Sequence, residues 1–178
     1  PIRRARMARG MSCAGRAFCR FPHAGVAAGH RRPAAHGVLS MLVLDSNTIS
    51  YFFRGDPAVV PRLQLTRPAD VGVPAIVEYE LRYGLARLPE AAATPRLAAL
   101  EQLLRPMQRL PFDNECAVHA ARIRADLEAA GTPIGPHDTL IAATALRHAA
   151  TLVTRNVREF SRVAGLRVVD WHAGTATD

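Results

Sequence analysis

Four apolar residues in a row, Met41-Leu42-Val43-Leu44, run into Asp45-Ser46-Asn47-Thr48. Beyond them Ile49, Tyr51, Phe52 and Phe53 return at roughly helical spacing. A run that short reads as a buried strand, and the spacing after it as the first turns of a helix. Val71-Gly72-Val73 repeats the pattern, and Pro74 suits the first turn of a helix over about 75–88 whose apolar stripe is Val77, Leu81, Gly84, Leu85 and Leu88. Gly55-Asp56-Pro57 marks a turn, residues 58–65 a short helix, and residues 95–105 a third helix closed by Pro106. Residues 107–112 read as a third strand. Asp113-Asn114 then caps an amphipathic helix carrying Cys116, Ala120, Ile123, Leu127 and Ala130 on one face, stopped by Gly131. A Pro- and Gly-rich loop over 132–136 leads to Asp138 and a helix over 139–148. Residues 151–154 form a fourth strand, a short helix lies around Glu159-Phe160, and residues 166–169 form a fifth strand ending at Asp170-Trp171. Strands alternating with helices predict a parallel sheet covered on both faces.

Composition changes this picture in one place. The formal charge of +8 suggests a nucleic-acid footprint, yet its distribution removes that inference for the folded part. Residues 1–40 hold eight arginines and no acid, whereas residues 41–178 hold fifteen arginines against fifteen Asp plus Glu. The first segment has no hydrophobic periodicity and no continuous apolar core of a secretory signal. It reads as a disordered basic extension or as upstream sequence translated ahead of Met41, and the domain as residues 41–178. A chain beginning at Met41 is accordingly expected to fold. Three cysteines without paired spacing give no disulfide framework and fit a reducing, cytoplasmic setting. No apolar run approaches the roughly 20 residues of a membrane span.

The candidate chemistry is carboxylate chemistry. Asp45 ends the first strand, where open α/β sheets place their ligands. It is equally a candidate N-cap of the following helix. Glu78 and Glu80 lie on the helix after the second strand, and Asp138 opens the helix before the fourth. Carboxylates converging from separate elements suit a hard cation such as Mg²⁺; without one, like charges raise one another's pKa values. Helical geometry does not choose between Glu78 and Glu80, which lie about 80° to either side of the apolar stripe. Asp138 is an N-cap candidate as well. His119, His137, His148 and His172 lack the paired spacing of a zinc site. Arg82, Arg147, Arg155 and Arg158 are phosphate-contact candidates, each with an ordinary reading as a solvated surface residue.

The local sequences are more specific. Leu44-Asp45-Ser46-Asn47, Glu80-Leu81-Arg82-Tyr83-Gly84, Gly131-Thr132-Pro133-Ile134-Gly135-Pro136-His137-Asp138, Val153-Thr154-Arg155-Asn156 with Glu159-Phe160, and Asp170-Trp171 follow one another along the chain. In that order and spacing they resemble the PIN-domain ribonuclease toxins of VapBC toxin–antitoxin modules, over about residues 41–172. The resemblance implies a five-stranded parallel sheet flanked by helices, with carboxylates gathered around Mg²⁺ or Mn²⁺. It further implies endoribonuclease activity on structured RNA such as tRNA, a homodimer, and silencing by a small VapB-like antitoxin. Asp45, Glu80 and Asp138 match the family's first three acidic positions, as metal ligands and catalytic groups. The fourth falls near Asn156, an amide that holds a water but brings no charge. Two other readings stay open. A haloacid-dehalogenase-like phosphotransferase also places Asp after its first strand, but wants Asp-x-Asp and a lysine, whereas Asn47 stands at the third position and the chain has no lysine. A catalytically silent PIN-like RNA-binding protein is the other.

Overall fold

The computed structural model describes residues 41–173, so the expectations for residues 1–40, Cys13 and Cys19 included, lie outside the described residues. The first strand, β1 (Leu42–Leu44), buries Val43 and Leu44 completely. Helix α1 (Ser46–Phe53) follows at once and packs Ile49, Phe52 and Phe53 inward, one helical turn apart. It stops at Arg54, after which Gly55 takes φ of 74°, a left-handed conformation natural to glycine. Next come α2 (Val60–Leu65), a single 3-10 turn over Pro68–Asp70, and β2 (Val71–Pro74). Helix α3 (Ala75–Ala86) buries Val77, Leu81 and Leu85 at four-residue intervals. The chain continues through α4 (Glu90–Leu104), β3 (Gln108–Leu110), α5 (Asn114–Ala129), α6 (Pro136–Arg147), β4 (Thr151–Val153), α7 (Val157–Phe160) and β5 (Arg167–Val169).

All strand pairs are parallel, in the order β3-β2-β1-β4-β5. Val43, Leu44, Val71, Val73, Leu152 and Val153 are buried, so both faces of the three inner strands are covered, as a parallel sheet requires. The edges carry Gln108, Arg109 and Arg167, polar side chains that discourage further strand pairing. From β1 the chain builds outward to β2 and β3, then crosses back to lay β4 on the other side of β1. The carboxyl ends of β1 and β4 therefore flank a topological switch point, where open α/β sheets form a crevice.

Two elements differ from the expectation. Helix α4 begins at Glu90, with Pro95 inside it and not near its start. Proline removes one N–H from the ladder, which would have met the carbonyl of Ala91; Ala91 and Pro95 are both exposed, so water satisfies that carbonyl. Helix α6 begins at Pro136 with Gly135 as its N-cap, which puts Asp138 inside the first turn. Asp138 is thus not the cap, and its side chain is left for other contacts.

Gly72 sits where β2 is most tightly overlaid. A Cβ there would approach Leu110 Cδ1 to 2.7 Å and Met41 Sδ to 2.8 Å. Both are ends of flexible side chains, so Gly72→Ala is expected to cost only about 1 kcal/mol, the low end of the overpacking range. Urea unfolding measures it; an unchanged midpoint would show that these neighbours move away freely.

Candidate active site

Asp45 is 3% exposed, and each of its oxygens has a fixed partner. Oδ1 accepts the Thr48 backbone N–H at 2.6 Å, which makes Asp45 the N-cap of α1. Oδ2 accepts the Thr154 hydroxyl at 2.6 Å, from the residue that follows β4. Thr154 Oγ1 is itself held by the Asn156 backbone N–H at 3.0 Å. Thr48 ties the same corner again, donating its hydroxyl to the Val153 carbonyl at 3.0 Å. The carboxylate therefore bridges the ends of β1 and β4. Burial pushes its pKa up; the Thr154 and Thr48 hydrogen bonds oppose this, and the charge of Glu80 adds to it.

The structure separates the two glutamates of α3. Glu78 ion-pairs with Arg82 at 2.8 Å and with Arg109 at 3.5 Å, on the side facing Glu101. Glu80 instead meets His137 Nδ1 at 2.8 Å from the first turn of α6, and its charge acts on both Asp45 and Asp138. Tyr79 sets the His137 ring edge-on, with centroids 5.7 Å apart.

Asp138 is strongly perturbed as well. Burial, a hydrogen bond to Glu159, and the charges of Glu159, Glu80 and Asp45 push its pKa up to about 7. Two carboxyl groups bond to each other only when one holds a proton, and burial with these neighbours keeps one on Asp138 up to about neutral pH. Gly135 leaves room for the Asp138 carboxylate: a Cβ there would come within 3.3 Å of Oδ2. The motif places the fourth position near Asn156 and passes over Glu159 as an acid. Asn156 stands at the start of α7 and makes no side-chain cap bond. One turn of α7 then brings Glu159 within reach of Asp138. The spacing of three between Asn156 and Glu159 is the available signal, since a helix brings such residues to one side.

Asp45, Glu80, Asp138 and Glu159, from four elements, thus lie around the switch point within electrostatic reach, the charges of the other three all acting on Asp138. Among the described residues no arginine ion-pairs with Asp45, Asp138 or Glu159. Oxygen donors of this kind fit a hard divalent cation. The arrangement is not a ready-made cage, because among the described residues no three such groups converge on one point. Asp138 faces Glu159, and a cation there would displace the proton that Asp138 keeps.

The PIN-domain family profile matches residues 42–166. The chain belongs to the PIN-domain family. Within it, the chain is 33% identical over 129 residues to a tRNA(fMet)-specific endonuclease VapC of Salmonella typhimurium, covering 72% of this chain and 96% of that protein. It is 36% identical over 138 residues to the toxin FitB of Neisseria gonorrhoeae, covering 74% and 99%. The solved structure of DNA-bound VapBC from Salmonella typhimurium superposes with a TM-score of 0.68 at 33% identity, covering 74% of this chain and 98% of that one. That of FitAcB from Neisseria gonorrhoeae superposes with a TM-score of 0.69 at 34% identity, covering 75% and 99%. This PIN domain is therefore VapC-like along almost the whole length of those relatives. No described helix is long and apolar enough to cross a membrane.

Proposed function

We propose that this PIN domain is a Mg²⁺- or Mn²⁺-dependent endoribonuclease toxin that cuts structured RNA such as tRNA and is restrained by a VapB-like antitoxin. The observation that carries the reading is that the charges of Glu159, Glu80 and Asp45 all act on Asp138 at the switch point, with Glu80 held by His137 and none of the four paired with a described arginine, in a chain similar to named VapC ribonucleases. Asp45, Glu80, Asp138 and Glu159 would hold the ion. When bound, a divalent cation there supplies a Lewis acid that lowers the pKa of water and offsets charge on the phosphate. Asp45 contributes a carboxylate that Thr48 and Thr154 prevent from rotating. His137 fixes the direction of Glu80. Asp138 would have to give up its proton to serve as a ligand. Hydrolysis by water, without the ribose 2′-hydroxyl as nucleophile, leaves a 5′-phosphate and a 3′-hydroxyl.

The protein names of the structural relatives, VapBC and FitAcB, support a protein partner for this chain as well. Exposed Tyr79 and Tyr83, stacked on each other with centroids 6.1 Å apart, together with Val118 and Leu65, offer apolar surface for an antitoxin or a second copy. Sedimentation of the isolated chain is expected to give a dimer at micromolar concentration, and a monomer would overturn that part.

Incubation with bulk tRNA tests the activity. Cleavage is expected with Mg²⁺ or Mn²⁺, to stop on chelation, and to yield 5′ ends that a phosphatase can strip. Cutting that survives chelation would overturn the metal dependence, and intact tRNA under all conditions would overturn the nuclease reading.

A further inference from the structure

The arginines of this domain divide by what they touch. Arg82 is tied to Glu78 and Glu101, Arg109 to Glu101, Arg124 to Glu128, and Arg147 lies 3.6 Å from Asp113. Arg54 and Arg155 are different, because both lie over one tyrosine. Their guanidinium carbons stand 4.8 and 5.6 Å from the centroid of the Tyr51 ring. Arg155 Nη1 donates to the Tyr51 hydroxyl at 3.3 Å, and Arg54 Nε donates to the Ser50 carbonyl at 3.1 Å. His172 meets the same ring edge-on at 5.0 Å, which fixes the ring's tilt. The acids whose charge reaches Arg155 are Asp170 and Asp56, but both carboxylates face His172, at 3.2 Å each. Among the described residues neither arginine has a carboxylate ion-pair partner.

A guanidinium laid over an aromatic ring keeps much of its in-plane N–H fork open, the edge that matches a phosphate bidentately. The position of the pair adds direction. Arg155 follows Thr154, whose hydroxyl holds Asp45, and Tyr51 lies on the helix that Asp45 caps. Both arginines are exposed, and Arg155 directly follows the residue past β4 that holds Asp45 at the carboxyl edge of the sheet. We infer that Arg155 and Arg54, oriented by Tyr51, bind a backbone phosphate of the RNA strand next to the one that is cut. They are positioning residues, and the inference rests on the nuclease reading above. A strand carrying one charge per nucleotide is repelled by the carboxylates around the switch point, and a cationic hold beside them offsets that repulsion.

The test uses the full chain with Asp45→Asn, which is expected to bind RNA without cutting it, and bulk tRNA as probe across a series of NaCl concentrations. Arg155→Gln is expected to weaken binding about tenfold and to reduce the slope of log affinity against log salt by about 0.7–0.9. Arg155→Lys should keep the slope, which counts charge, yet lose affinity with the fork. Arg124→Gln, which removes an arginine already paired on the exposed face of α5, should change neither. On the active background, Arg155→Gln should raise KM with kcat nearly constant. Unchanged affinity and slope for both Arg155→Gln and Arg54→Gln would overturn the inference and leave the pair to the carboxylate of a protein partner. Binding with the predicted slope change but no cleavage by the parent chain would remove the nuclease reading alone. A parent that does not bind tRNA would remove both.

Discussion

Asp138→Asn is expected to abolish RNA cleavage and, at pH 7.5 without metal, to make the protein harder to unfold. The two effects share one cause. The folded state raises the Asp138 pKa from 3.8 to about 7, so folding takes up a proton wherever the pH lies between those values. As pH rises through that window the unfolded chain has already ionised while the native carboxyl has not. Native stability therefore falls with pH, at a ceiling of roughly 1.4 kcal/mol per unit for one proton. Below pH 4 the penalty is absent, and above 7 it is complete and constant. Water reaches part of Asp138, so screening reduces the total to something on the order of 2 kcal/mol. For a domain of this size that is roughly 4–8 °C in Tm. Asparagine keeps the shape, offers its N–H₂ to Glu159 and never ionises, so its Tm should lose that slope. Mn²⁺ would compete with the Asp138 proton, and it should raise the parent's Tm more at pH 7.5 than at pH 5.5. Thermal melts from pH 4.5 to 8 read all of this. A parent Tm that stays flat or climbs over that range would remove the raised Asp138 pKa, and an Asp138→Asn variant that still cuts would remove Asp138 from the reaction.

What could be read in advance follows from how local each determinant is. The first strand and Asp45 were legible because an apolar run, a cap and a helical return lie within a dozen residues. So was α5, whose Asp113 accepts the Cys116 N–H at 2.9 Å and whose Gly131 takes φ of 67° just past the helix end. The start of α4 was not, since Pro95 carries the signature of a first turn and only its exposure lets it sit inside. Helix α6 starts earlier than its sequence suggests because Asp138 offers cap chemistry that Gly135 and Pro136 make unnecessary. The Glu80-Leu81-x-x-Gly84 match selects Glu80 over Glu78, but helical periodicity cannot, because what parts the two lies on residues distant in the chain: Arg109 on β3 takes one, and His137 on α6 the other. Glu159 escaped for a similar reason. Its role comes from a helix of a single turn, too short to leave a periodic trace, that folds back toward Asp138.

Asp45→Asn and Asp45→Ala are expected to part company in stability while sharing the same loss of activity. The sequence allowed Asp45 to be either a helix cap or a functional carboxylate, and the structure gives its two oxygens different partners. Oδ1 caps α1 through Thr48, and Oδ2 takes the Thr154 hydroxyl in a fully enclosed position. Asparagine still accepts from the Thr48 N–H, and its amide donates to a Thr154 hydroxyl that rotates to accept. The charge disappears, and with it the desolvation penalty that raises the native pKa. The Asn variant should therefore unfold within about 1 kcal/mol of the parent, or somewhat above it at neutral pH. Alanine loses the cap, at about 1 kcal/mol, and leaves the buried Thr154 hydroxyl without its acceptor, at roughly 1–3 kcal/mol more. Chemical denaturation should rank the proteins parent and Asn together, with Ala lower by roughly 2–4 kcal/mol. Cleavage of tRNA with Mn²⁺ should be lost in both, and Glu78→Gln, which breaks only the pairs with Arg82 and Arg109, should keep it. An active Asn variant would reduce Asp45 to a helix cap and take the nuclease chemistry away from the carboxylate cluster. A destabilised, inactive Asn variant would show instead that the charge itself holds β1 to β4, so that its loss of activity is loss of fold.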